Sequence, residues 1–236
     1  MLSEIPECVR DGTHTSELTH GLSRIRHYDL AKSMLDIALC VAVLPLVLLV
    51  MAVIAIAILV DSGRPIFFVQ ERFGRGRRTF RMYKFRTLLR DRESSLDQEY
   101  MRSFVRGQVQ QCDGPPRSRI YKPFDKSQIT RVGRILRRTS LDELPQIFNV
   151  LRGEMSLVGP RPNVLWEVGA YDDWHNERLK VLPGITGLAQ VRGRSAICFD
   201  DIVRHDIEYV RRRSLKLDLQ ILWWTVLSTV TGRGTQ

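Results

Sequence analysis

Metal-ligand spacings, a disulfide framework and nucleotide loops are all missing from this chain. Its four cysteines, Cys8, Cys40, Cys112 and Cys198, are scattered, with no C-x-x-C pair and no histidine at ligand spacing. That excludes a structural zinc site and a disulfide scaffold, and it fits a reducing compartment. There is no G-x-x-x-x-G-K-[ST] and no G-x-G-x-x-G after a strand, so Gly74-Arg75-Gly76 alone supports neither a P-loop nor a dinucleotide fold. Internal repeats and low-complexity tracts are also absent. Acidic charge is in short supply: 26 Asp and Glu against 36 Lys and Arg, a net charge of +10. The partners should therefore be anionic, whether nucleic acid, acidic lipid or a phosphorylated substrate. At 236 residues the chain holds one ordinary domain, or a small domain with a membrane segment.

Charge of either sign disappears for 24 residues, from Ile37 to Val60. As a helix this run would measure about 36 Å, more than a hydrocarbon core of roughly 30 Å. It begins too deep in the chain and runs too long for a signal peptide, and no small-x-small site precedes Asp61. A single spanning helix is one reading. Two features favour another: Pro45 removes a backbone donor and predicts a kink at Leu44 and Pro45, and both flanks are basic, with Arg24, Arg26 and Lys32 before the run and six arginines from Arg64 to Arg81 after it. A re-entrant helix places both flanks on the cytoplasmic side.

Residues 1–27 show no apolar period and read as a mobile tail, 28–62 as the membrane helix, and 63–236 as the domain that follows it on the cytoplasmic side. Pro65–Val69 and Thr79–Arg86 read as arms of a hairpin around Gly74 and Gly76. Asp91–Gln128, with Cys-Asp-Gly-Pro-Pro inside it, reads as part helix and part loop. Helices are expected from Ser140–Asp142 onward, with Ser140 and Glu143 as a capping box, then over Val164–Leu182, Asp201–Arg212 and Leu215–Val230. The last carries Leu215, Leu219, Leu222 and Val226 on one stripe beside Trp223 and Trp224, which suits either a bilayer interface or a protein core. The sum is an α-rich α+β fold docked on a membrane.

Between Arg72 and Arg90 stand eight basic residues and no acidic one. Lys84 and Arg86, two apart on an extended strand, could grip a diphosphate together, or the stretch could meet anionic headgroups. Nucleic acid fits less well, because Phe80, Tyr83 and Phe85 could stack bases but no recognised binding motif accompanies them. Asp142 and Glu143, adjacent in a first helical turn, could hold a divalent cation and present a nucleophile to phosphorus, or could simply serve the helix start. Arg137 and Arg138 just upstream, and Arg161 in the stiff Gly159-Pro160-Arg161-Pro162 loop, add the cations that phosphoryl transfer needs.

The strings Arg138-Thr139-Ser140-Leu141-Asp142-Glu143-Leu144-Pro145-Gln146, Phe148-Asn149-Val150, Met155-Ser156-Leu157-Val158-Gly159-Pro160-Arg161-Pro162, Pro183-Gly184-Ile185-Thr186-Gly187 and Tyr83-Lys84-Phe85-Arg86-Thr87 resemble the bacterial sugar transferases, the monotopic phosphoglycosyl transferases. The resemblance covers about Tyr28 to the C-terminus. It implies a re-entrant helix broken at a proline, Mg2+, a UDP-sugar donor and a polyprenyl phosphate acceptor at the cytoplasmic face of a bacterial inner membrane, at the start of surface-glycan synthesis. It assigns Asp142 as nucleophile, Glu143 as its acidic partner, both as metal ligands, and Arg137 and Arg161 as phosphate contacts. Lys84, Arg86, Gln190 and Arg194 are further donor-binding candidates. Departures from the family pattern are Leu44 where Ser often precedes the breaking Pro, Arg192 where Asn is common, and a longer insertion between Leu88 and Ile129. A catalytically silent scaffold for glycan assembly is the alternative, and monomer and homodimer both stay open.

Overall fold

The computed structural model describes residues 12–89, 102, 128–192 and 199–230. The Asp91–Gln128 insertion falls almost wholly outside them, as do residues 1–11 and Arg194.

The chain enters through α1 (Gly12–Ser62), a helix of 51 residues. It begins at Gly12, well before Tyr28, so the part of the expected tail that is described is helical. It also continues through Pro45, which lies within it, so the expected break is not an interruption of the helix. Its apolar part is two-faced. Cys40, Met51, Ile54 and Ile58 are buried and Leu44 and Val47 partly so, at the three- and four-residue spacing of one helical face. The opposite face exposes Val41, Val43, Leu46, Leu49, Val53, Ile56 and Val60.

After α1 come β1 (Phe67–Phe73) and β2 (Thr79–Phe85), an antiparallel hairpin with Phe67 opposite Phe85 and Arg72 opposite Phe80. Its turn is closed by Gly74 N–H donating to Arg78 O at 2.7 Å, and Gly76 sits at φ +66°, where a side chain would be strained. Strand alternation turns Phe80 and Met82 inward onto Cys40 of α1, Ile147, Val150 and Met155.

α2 (Arg131–Thr139) is capped by Thr130, whose Oγ1 accepts from Gly133 N at 2.8 Å. A Cβ at Gly133 would collide with the Thr87 carbonyl, so the glycine lets α2 approach the chain just past β2. Asp61 of α1 accepts from Val132 N at 3.1 Å and ties α2 to the end of α1. A 3-10 turn, Leu141–Gln146, leads into α3 (Ile147–Leu151). Then follow β3 (Ser156–Val158), β4 (Asn163–Val164), α4 (Leu165–Val168), a 3-10 stretch Asp173–Lys180, β5 (Gly184–Thr186), α5 (Leu188–Arg192), α6 (Phe199–Arg212) and α7 (Leu215–Val230). β4 adds antiparallel to β1, and β3 pairs with β5 in parallel.

The single helix expected over Val164–Leu182 is two short pieces. Gly169 ends the first, and Asp172 starts the second, its N–H donating to His175 Nδ1 at 2.9 Å. α6 and α7 match their expected spans closely. On α7 the buried face carries Asp218 and Ile221, while Leu219, Trp223, Trp224, Val226 and Leu227 are exposed.

Asp218 explains the polar residue on that buried face. It accepts from Tyr28 at 2.8 Å and Tyr209 at 2.7 Å and pairs with Lys32 at 3.2 Å; Lys32 also meets Asp36 at 3.7 Å, and Asp36 accepts from Ser156 at 2.7 Å. This buried latch joins α1, α6, α7 and β3. The Tyr209 hydroxyl also lies 3.1 Å from the Val158 carbonyl, one residue before the Gly159-Pro160-Arg161 loop.

Candidate active site

Asp142 and Glu143 stand in the first turn of the 3-10 segment. Ser140 before them has φ +58° and makes no side-chain capping bond, so the expected capping box does not form and Glu143 is released for other work. It meets Lys84 of β2, whose Nζ donates to Oε1 at 2.6 Å. β2 packs directly on the 3-10 turn.

A pocket opens at this pair, lined by Arg72, Met82, Lys84, Glu143, Gln146, Arg161, Pro162, Gly184, Ile185 and Gln190. Arg72 comes from β1 and reaches Pro162 O at 3.2 Å, so it also braces the loop that carries Arg161. Arg161 is exposed toward solvent at the pocket. Its backbone is fixed by crossing bonds between two strand ends: Gly159 N–H to Thr186 O and Gly184 N–H to Pro160 O, each 2.8 Å. Any Cβ on Gly159, Gly184 or Gly187 would strike the facing backbone, so these three glycines permit the close approach.

The two carboxyls are tuned apart. Burial pushes the Asp142 carboxyl above the usual aspartate range; Lys84 opposes that, Glu143 adds to it, and Arg137 opposes it. Burial would also raise Glu143, but Lys84, Arg161 and Arg72 together outweigh it and hold the group below the usual range. Divergent environments for adjacent carboxyls are a mark of sites where two acids take different roles. Arg137 Nε donates to Thr87 Oγ1 at 2.9 Å, and the guanidinium is electrostatically coupled to Asp142.

The expected residues therefore divide. Asp142, Glu143, Lys84, Arg137, Arg161 and Gln190 gather in one region. Arg86 does not join them. β2 ends at Phe85, and the buried Arg86 guanidinium instead donates to the carbonyls of Ser62 at 2.8 Å, Gly63 at 2.6 Å and Arg64 at 3.0 Å, and to Ser62 Oγ at 2.9 Å. It caps α1, whose last carbonyls have no helical partners. Arg194 lies outside the described residues. Leu44 is packed against the domain core, and Pro45 is exposed beside it. Arg72 was visible in the sequence only as one of eight cations. The hairpin register would have singled it out, since its partner Phe80 shares a strand face with Met82 and Lys84.

No group of three or more His, Cys, Asp or Glu gathers for a metal among the described residues. Two adjacent carboxylates still suit Mg2+, which commonly takes one or two carboxylates together with substrate phosphates. Glu143 has one oxygen engaged by Lys84, which leaves the other and Asp142 for such a role.

A long apolar helix, and a pocket lined by Glu143 and several cations with the Asp142 carboxyl next to it in the chain, define a membrane-associated protein equipped to handle phosphorylated ligands. The chain belongs to the bacterial sugar transferase family, whose profile matches residues 27–232. It is 36% identical to the exopolysaccharide production protein ExoY of Sinorhizobium fredii, over 91% of this chain and 88% of that one. It is 35% identical to the galactosyl transferase CpsE of Streptococcus agalactiae over 94% of this chain and 47% of the relative, and 39% identical to the undecaprenyl-phosphate glucose phosphotransferase of Komagataeibacter xylinus over 89% and 36%. The chain thus spans about half or less of several curated relatives, and nearly all of ExoY.

Proposed function

We propose that the protein transfers a hexose 1-phosphate from a UDP-sugar to polyprenyl (undecaprenyl) phosphate at the cytoplasmic face of a bacterial inner membrane, as a first step in exopolysaccharide or other surface-glycan synthesis. The observation that carries this reading is the juxtaposition of Asp142 and Glu143 with Lys84, Arg137, Arg161 and Arg72. Relatives named for undecaprenyl-phosphate glucose and N-acetylgalactosamine phosphotransfer support it.

Asp142 attacks the phosphorus that bears the sugar. The bond from that phosphorus to the bridging oxygen breaks, UMP leaves with the electron pair, and an aspartyl-phosphosugar forms. An oxygen of polyprenyl phosphate then attacks the same phosphorus and releases the Asp142 carboxylate. Arg161 and Arg72 bind phosphate oxygens, Arg137 offsets the charge of Asp142, and Lys84 holds Glu143 in place. Mg2+ held by Asp142 and Glu143 would neutralise diphosphate charge when bound.

α1 follows a monotopic course in this reading, lying in one leaflet with both flanks on the same side rather than turning back at Pro45. The domain packs along it from Cys40 to Ile58, roughly 27 Å of helix rise. A straight span would carry that polar domain into hydrocarbon at severe cost, whereas a helix dipping from one side submerges only the exposed apolar face. The exposed Trp223 and Trp224 of α7 suit the headgroup boundary.

The test is UMP release from UDP-sugars with Mg2+ before any acceptor is added, with the adduct mapped by peptide mass to Asp142. Release only after polyprenyl phosphate is added would replace the covalent route with direct transfer, and no release from any donor would point to a silent scaffold.

A further inference from the structure

One pocket acceptor is left unused by the chemistry above. Gln190 lines the pocket from α5, and its Nε2 donates to the Ile185 carbonyl at 3.2 Å. That bond fixes the sense of the amide, since a flipped amide would set two oxygens against each other. Its Oε1 is buried, yet it has no hydrogen-bond partner in the protein. Gly187 lies directly beneath it: a Cβ there would come within 2.6 Å of Oε1, so the backbone leaves this oxygen the space it occupies.

An ionised phosphate oxygen cannot satisfy an acceptor, and a buried acceptor left without a donor is destabilising. We propose that Gln190 is a specificity-determining residue, whose Oε1 accepts a hydrogen bond from a hydroxyl of the donor sugar. The inference rests on the transferase reading above and deepens it. The pocket that holds Gln190 also holds Lys84, Glu143 and Arg161, so the group that meets it is the one attached to the reacting phosphate. The uracil N3–H offers the same donor chemistry from the far side of the diphosphate, and the experiment separates the two.

Full-length protein in detergent or nanodiscs is given a turned-over UDP-sugar, then its deoxy and deoxyfluoro forms at each ring position, and finally the N3-methyluridine form. Fluorine keeps size and acceptor capacity but cannot donate. The expected result is a loss of kcat/KM of about 10- to 100-fold for the deoxy and deoxyfluoro sugars at one position. In Gln190→Leu and Gln190→Met that ratio should collapse toward one. Because the readout is a ratio within each protein, a variant of low overall activity still reports. The wild-type arm stands alone if neither variant folds: equal turnover of all the sugars overturns the proposal. So does full discrimination retained by Gln190→Leu, or a penalty confined to the N3-methyl donor. Failure to turn over any parent UDP-sugar would instead strike the transferase reading itself.

Discussion

Asp142 carries a built-in conflict between its environment and its proposed task. Its carboxyl lies above the ordinary range because of burial, so the carboxylate is harder to form in the folded protein than in the unfolded chain. A group raised on folding contributes stability below its unfolded pKa and loses it as pH rises through the folded one. Asp142→Asn should therefore raise the thermal midpoint at pH 7 while abolishing UMP release, a pairing read by calorimetry beside the turnover assay. Activity in the wild type should also fall, as pH is lowered, before an ordinary aspartate would protonate. Glu143 shifts the other way, held below the usual glutamate range by Lys84, Arg161 and Arg72. Arg161→Lys keeps charge but loses the planar fork, and kcat/KM should drop about 100-fold with folding intact. Unchanged kinetics would leave Arg161 a structural role only. Of these roles the sequence already showed the carboxyl pair and the cations, because adjacency and composition are written along the chain. It could not show which cation each carboxyl meets. Arg86 looked as apt as Lys84 until the carbonyls at and just past the end of α1, 22 to 24 residues away, proved to be its partners.

Elements were legible where their period was long. α6, α7 and the hairpin followed from apolar spacing and turn glycines, while the short strands β3, β4 and β5 did not. Those strands exist through backbone pairing at Gly159 and Gly184, which no hydrophobic pattern announces. The expected Val164–Leu182 helix failed because local capping by Asp172 overrode a weak period. α1 invites a paired test. Ile58 is fully buried against the domain, whereas Val60 is 84% exposed. Ile58→Ala should cost on the order of 2–5 kcal/mol in denaturant unfolding in detergent, and Val60→Ala almost nothing. Val60→Asp should leave that stability unaltered yet lower partitioning into vesicles, since only the exposed face touches lipid. Equal effects of the two alanine variants would mean that the helix does not pack on the domain as described.

At the scale of the whole molecule, a monotopic course predicts that both flanks of α1 share one compartment. In a cysteine-depleted background, thiols at Ser16 and at the exposed Lys180 should both resist an impermeant periplasmic reagent and both react in inverted vesicles. Labelling of Ser16 alone from the periplasm would establish a spanning helix. The latch among Lys32, Asp36 and Asp218 has a further consequence in time. Tyr28 and its acceptor on Asp218 are 190 residues apart, which at ribosomal rates separates their synthesis by roughly 10 to 40 s. Until α7 is made, Lys32 lies without the Asp218 carboxylate that later pairs with it and Tyr28 without its acceptor, although the residues from Phe80 to Met155 that pack on the inner face of α1 are already synthesised. Nascent chains arrested before Leu215 should therefore be open to protease and bound by holdase chaperones, while chains released after Val230 should not. α1 is made before the domain that packs on it, yet its polar contacts are completed only when α7 arrives.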